Sequence, residues 1–305
     1  MTSHEWQSAL SRARFFAVLG LLAVFAASVC AEIRVIDDSG QTLVLKVPAR
    51  RIISLAPHTT ELLFAAGAGT RIVGADRYSD HPPEAKRIPR IGDSSLLDIE
   101  RIVALKPDLI VVWLHGTPER QLSKLRALRI PVFHNEPRTL ADISRSLVQL
   151  GRVAGTEPYA EKAAGDFAAA VAELRAQYAG RLPVPLFYQL WTDPLLTING
   201  EHLISDVVRL CGGANIFADL KALVPTVSAE AVVAAKPEVI VTTSGEFSND
   251  EAFRVWKKFP SMRAVANNAF IILDSGTISR HSPQILEGAR VLCQRLDLVR
   301  AQRKP

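Results

Sequence analysis

Pro158–Ala179 reads PYAEKAAGDFAAAVAELRAQYA, and the chain on either side of it says nearly the same thing twice. Apolar residues recur within it at Ala160, Ala163, Ala164, Phe167, Val171, Leu174 and Tyr178, a stripe at the helical period with charges on the other side. Thr156 is placed to cap this helix, Pro158 falls in the first turn, and Gly180 with Pro183 ends it. At ~1.5 Å per residue, about 22 residues span roughly 33 Å, the width of a small domain.

Outward from the helix lie two matching stretches. Leu97–Val112 reads LDIERIVALKPDLIVV, and Val227–Thr242, 130 positions later, reads VSAEAVVAAKPEVIVT. In each, a short helix carries a Glu, Lys-Pro breaks it, and an apolar run follows as a buried strand. One such unit is common in α/β proteins and means little. Two of them flanking one long helix predict two similar α/β lobes, 32–155 and 181–305, joined by a rigid strut over 156–180.

The chain has 305 residues, 48% hydrophobic and 22% charged, enough for a full core and two domains. The first 31 residues read as an export signal. Arg12 and Arg14 precede a short apolar run, Phe15–Ala27, and Val29 and Ala31 suit signal peptidase, so cleavage is expected after Ala31. The alternative, a lipid on Cys30, fits less well because bulky Val29 precedes the cysteine. Cleavage leaves Cys211 and Cys293, an even number for an oxidising compartment, either bridged or as two buried thiols. Losing Arg12, Arg14 and Glu5 takes the net charge from +5 to +4. The basic tail Arg300–Lys304 reads as a solvated C-terminus rather than a nucleic-acid site.

Strands and helices alternate along both halves, so the sheets are expected to be largely parallel, after an N-terminal hairpin over Ile33–Val47. Ligands of such sheets sit beyond the carboxyl ends of the strands. The loops there hold His58, Tyr78, His81, Trp113, His115, Trp191, Arg280 and His281. Aromatic groups with a few polar ones suit a large, partly apolar ligand. The chain has no nucleophile elbow, Walker sequence, dinucleotide fingerprint or zinc-protease motif, and no nucleophile–base pair stands out. His58 and Glu61 at i, i+3 make a weak metal pair among dispersed histidines. A binding module fits better than an enzyme, so no catalytic residue, metal or cofactor is expected.

RIISLAPHTTELLFAAGAG, VGADRYSDHPPEA and LDIERIVALKPDLIVVW together resemble the periplasmic substrate-binding proteins of iron-siderophore, haem and cobalamin importers. YSDHPP, PERQ, LCGGANIF and VSAEAV resemble the cobalamin-binding branch most. The resemblance covers nearly all of the mature chain. It implies two Rossmann-like α/β lobes joined by one long rigid helix, and a monomer that captures cobalamin or a related corrinoid between the lobes and delivers it to an ABC importer. By the same resemblance Tyr78 and the Gly276, Thr277, Ile278, Ser279, Arg280 segment meet the ligand, Cys211 and Cys293 are bridged, and Glu100 and Glu230 dock on the permease. Trp191 is expected in the cleft, filling space where the branch's pocket residues are replaced around Ser94, Val224 and Gly276–Ile278. His58, Trp113 and His281 are further candidates. A ferric siderophore or haem is the alternative ligand. A siderophore site would want several cations, and the candidate loops offer chiefly Arg77 and Arg280. An extracytoplasmic enzyme is the third reading.

Overall fold

The computed structural model describes residues 32–244 and 249–303, so the expected signal segment and its Cys30 lie outside the described residues, as do 245–248. An antiparallel hairpin opens the chain, β1 (Ile33–Ile36) with β2 (Thr42–Leu45), as the alternation predicts. The first lobe then runs β3 (Ile52–Ser54), α1 (Pro57–Ala65), β4 (Ile72–Ala75), α2 (Ile99–Ala104), β5 (Leu109–Trp113), α3 (Glu119–Ala127), β6 (Val132–Asn135) and α4 (Leu140–Ala154). The long helix α5 (Glu157–Tyr178) follows. The second lobe runs β7 (Val184–Tyr188), the small hairpin β8 (Trp191–Thr192) and β9 (Leu195–Leu196), α6 (Leu203–Leu210), β10 (Gly213–Asn215), α7 (Ala229–Ala235), β11 (Val239–Thr243), α8 (Asn249–Ala252), α9 (Arg263–Ala266), β12 (Phe270–Leu273), α10 (Ser275–Ile278) and α11 (Ile285–Ala301).

The two main sheets of the described residues have the same plan. Strands lie in the order β4-β3-β5-β6 in one lobe and β10-β7-β11-β12 in the other, all parallel. Counted along each lobe, both read second, first, third, fourth. The matching stretches explain why. Asp98 and Ser228 cap α2 and α7 by accepting from the N–H three residues on, at 2.9 and 3.2 Å. Lys106 and Lys236, each before its Pro, both adopt a left-handed backbone with φ of 46° and 50°, which stops the helix and aims the chain into β5 or β11.

Helix α5 presents Ala160, Ala164, Phe167, Val171, Leu174 and Tyr178 inward, the predicted stripe. These residues belong to one continuous core that also takes the same-side faces of both sheets, α4 and α11. The opposite sheet faces close smaller cores around Ile110 and Ile102 in the first lobe and Phe187 and Trp256 in the second. A side chain on Gly151 of α4 would put its Cβ 2.1 Å from that of Ala160, so the absent side chain lets α4 and α5 close together.

Three local expectations need correction. Thr156 does not cap α5 with its side chain; its hydroxyl donates instead to Ala66 O at 2.6 Å, tying the strut to the first lobe. The sequence of Glu251–Lys257 predicts a single helix, but the chain there forms α8 and a separate 3-10 turn, Trp256–Lys258, with Trp256 turned inward to fill the smaller core. The basic tail is not merely solvated. Arg300 donates to the carbonyls of Cys211 and Gly212 at 2.7 and 2.9 Å, and Arg303 pairs with Glu238 at 2.9 Å.

Candidate functional site

The strand order reverses direction between β3 and β5, and again between β7 and β11. Such switch points leave a crevice at the carboxyl ends of the strands. His58 follows β3 and Trp113 ends β5, so both stand at the first switch point, with ring centroids 5.4 Å apart, edge to face. The second lobe faces them with the segment after β12. Pro57, His58 and Trp113 from one lobe and Ser275, Gly276, Ser279, Arg280 and His281 from the other enclose a pocket of about 290 Å³.

Beneath this pocket three imidazoles form a row across the lobe boundary, His58 to His281 at 5.6 Å and His281 to His202 at 5.7 Å between centroids. Burial holds all three below the ordinary histidine range. His58 falls to about 3, with Arg280 adding to the effect, and His202 to about 4, with Arg138 adding. His281 is pushed well down by burial and by the two neighbouring rings. The row is therefore neutral, and its tilted and edge-to-face rings pack together rather than repelling the lobes. No metal explains it: among the described residues, no group of three or more His, Cys, Asp or Glu is placed to hold one.

Arg280 closes the pocket floor. Its guanidinium lies 3.2 Å from Asp80 and 3.6 Å from Glu61, both in the first lobe. Glu61 also accepts a hydrogen bond from the Ser282 hydroxyl. Burial pushes the Glu61 carboxyl upward, and Ser282 and Arg280 pull against that. The second cation of the candidate loops, Arg77, faces Asp93 at 3.8 Å. Both arginines therefore already stand against carboxylates.

The candidate residues do not all gather here. His58, Trp113, Gly276, Ser279, Arg280 and His281 line the pocket, whereas Tyr78, Trp191 and Thr277 do not. Tyr78 follows β4 and is 60% exposed; Trp191 opens the small β8–β9 hairpin, is 40% exposed and donates its indole N–H to Asp193 O at 3.0 Å. Ile278 is a correction. The expected loop is a single helical turn, α10, which rotates Ile278 fully into the main core and away from any ligand. A hydroxyl chain fixes the Tyr78 loop, with Thr60 Oγ1 2.8 Å from both Ser54 and Ser79. His202, Asp80 and Ser282 escaped the sequence reading, since each gains its meaning from a partner far away in the chain. The bridge between Cys211 and Cys293 is present, joining the end of α6 to α11.

Two lobes of one plan, one helical strut and a pocket shared between facing strand ends define a two-lobed solute-binding protein. The chain belongs to the periplasmic binding protein family, whose pattern matches residues 52–277. A vitamin B12-binding protein of Vibrio cholerae is 38% identical over 255 residues, covering 84% of this chain and 92% of that one. Another from Yersinia pestis is 40% identical over 248 residues, 81% of this chain and 86% of that one. The crystal structure of the periplasmic vitamin B12-binding protein of Vibrio cholerae superposes with a TM-score of 0.76 over 84% of this chain and 99% of that one, at 38% identity.

Proposed function

We propose that this chain captures cobalamin or a related corrinoid between its lobes and hands it to the membrane permease of an ABC importer. The observation that carries this reading is the charge state of the pocket. Its walls are the Trp113 indole and the neutral imidazoles of His58 and His281, and both candidate arginines already face carboxylates. An anionic ferric chelate would meet little uncompensated positive charge here. A flat macrocycle edged with uncharged amides meets ring faces and polar groups that suit it. The Vibrio and Yersinia relatives carry the same ligand in their names.

On this reading Trp113 and His58 form one wall, Arg280 and Ser279 offer hydrogen bonds from the other, and Tyr78 and Trp191 act from the rims. Glu100 and Glu230 present one carboxylate from each lobe to a twofold permease. The protein works as a monomer of lobes 32–155 and 181–305 about the strut 156–180, as a binding protein without catalysis. It acts in the periplasm after cleavage behind Ala31, and an exported protein of intact mass beginning at Glu32 is expected. A diacylated mass beginning at Cys30 would place it on a membrane anchor instead.

Titration calorimetry of the purified protein against cyanocobalamin, haemin and a ferric siderophore tests the ligand. Binding of cyanocobalamin alone is expected. Binding of haemin or the ferric chelate without cyanocobalamin overturns the assignment.

A further inference from the structure

A second cavity, of about 500 Å³, also spans the lobe boundary. Glu61, Phe64 and Ala65 of α1 and Pro82 of the loop after Tyr78 line it from the first lobe, and Ser282 and Pro283 close it from the second. It stands back to back with the Trp113 pocket. Arg280 lines that pocket, Glu61 lines this one, and the two side chains are 3.6 Å apart. His281 and Ser282, consecutive in the chain, divide in the same way. The size lies within the roughly 300–1,000 Å³ usual for small-molecule sites.

Phe64, Ala65, Pro82 and Pro283 give the cavity apolar walls. A Cβ on Gly69 would lie 2.3 Å from the Phe64 ring, so the ring packs directly on backbone and holds its place. Glu61 is the charged group set into these walls, with its side chain 4% exposed. One of its oxygens accepts from Ser282, while Oε1 has no hydrogen-bond partner among the described residues. A buried carboxylate oxygen left without a donor is costly. The terminal torsion of a glutamate is soft, so the carboxyl can turn toward a donor held in the cavity.

The charges at this boundary are unbalanced. Arg280 stands against both Glu61 and Asp80, so one positive charge is shared between two negative ones. Glu84 adds an exposed carboxylate to the lining, and among the described residues no lysine or arginine lines the cavity. Burial pushes the Glu61 carboxyl upward, the direction of a carboxylate that lacks full compensation. An anion would be repelled here, and an uncharged apolar guest would leave Glu61 unmatched. A guest with a positive hydrogen-bond donor on an apolar body answers both the charge and the walls.

We infer that this cavity is a second binding site, for a small organic amine whose ammonium group donates to Glu61 and whose apolar body lies against Phe64, Pro82 and Pro283. Such a guest touches α1 and the Ser282–Pro283 segment at once, so it holds the lobes at the spacing that the Glu61–Ser282 hydrogen bond sets. The site is independent of which ligand fills the Trp113 pocket.

Titration calorimetry at pH 7.5 with 2-phenylethylamine, 2-phenylethanol and phenylacetate tests it, because the three share one body and differ in charge. The amine is expected to bind with a Kd of about 1 mM or tighter, about tenfold or more tightly than the alcohol, and phenylacetate not at all. Glu61→Gln should lose the preference for the amine over the alcohol. That variant also loosens the lobes, so Ala65→Phe serves beside it. It keeps every charge, fills the cavity and should abolish amine binding, with circular dichroism showing both variants folded. Trp113→Ala should bind the amine as the wild type does. Failure of the wild type to bind the amine below about 10 mM, or equal affinity for amine, alcohol and acid, overturns the site. Unchanged binding by Ala65→Phe, or loss of binding in Trp113→Ala alone, puts the amine elsewhere and overturns it equally.

Discussion

Glu61 of the first lobe and Ser282 of the second are joined by a hydrogen bond, the hydroxyl donating to the carboxylate across the lobe boundary. The same carboxylate faces Arg280, so one buried group sets both the spacing of the lobes and the direction of the pocket's arginine. Glu61→Gln keeps the shape and removes the charge. Breaking a buried ion pair costs about 3 kcal/mol or more, and Arg280 here keeps Asp80 as a second partner. We expect a loss of about 2–3 kcal/mol in urea denaturation. A change below about 0.5 kcal/mol, the scale of ordinary surface substitutions, would show that the lobes do not depend on this contact.

Acid should destabilise the fold well above the carboxylate range. His58, His202 and His281 are buried neutral, so from the ordinary value of 6.5 downward the unfolded chain takes up protons that the fold refuses until about 3 for His58 and about 4 for His202. Their stabilisation is complete above 6.5 and falls as pH drops, by up to about 1.4 kcal/mol per pH unit for each ring. Asp37 acts later. Burial alone would raise its carboxyl, but hydrogen bonds led by that from His134 hold it at about 2 against an ordinary 3.8, so its contribution disappears only between those values. Urea midpoints at pH 7.5, 6 and 5 check this, and a flat profile from 7.5 to 5 would contradict it. His202→Asn should lower the slope by about one proton.

The bridge between Cys211 and Cys293, 82 residues apart, ties α6 to the last helix. Replacing both by Ala is expected to cost about 2–5 kcal/mol, mainly through the freed unfolded chain. Peptide mapping that recovers both thiols free from periplasmic protein would refute the pairing.

Trp113→Ala removes the aromatic wall of the pocket and should weaken cyanocobalamin binding by about 2 kcal/mol, near 30-fold. Gly116→Ala reaches the same wall from behind, since its new Cβ must displace the indole. It should cost about 1–3 kcal/mol in stability and also lower affinity. Calorimetry showing both variants at wild-type affinity would remove Trp113 from the site.

Glu100 and Glu230 are both exposed in the first turns of the matching helices α2 and α7. If they served only the helix ends, each would contribute about 0.3–1 kcal/mol to stability and nothing to transport. As docking groups they pair with arginines of the permease through charge-assisted bonds. Glu100→Ala with Glu230→Ala should leave ligand affinity and Tm nearly unchanged while uptake and permease binding are lost. Normal uptake at matched expression would deny them that role.

The architecture is legible in the residues alone, because the signals involved are local and periodic. The apolar stripe from Ala160 to Tyr178 could bury itself only as a helix. The two stretches that repeat at an offset of 130 had to build similar units, down to the left-handed Lys106 and Lys236 that precede each Pro. The loops at the strand ends followed from the alternation, which brought His58, Trp113, Arg280 and His281 into view. Which of these meet depends on how the lobes pack. The rotation of the α10 turn, set by packing against α11, sent Ile278 inward and left Ser279 and Arg280 facing the cleft. The neutral row of His58, His281 and His202, the pairing of Arg280 with Glu61 and Asp80, and the hold of Glu136 on the His115 N–H join residues 21 to 223 positions apart. No sequence period encodes such contacts. They arise because folding brings two sheet edges together and removes water from the groups between them, where an imidazole, a carboxylate or a guanidinium must find a partner or change its charge.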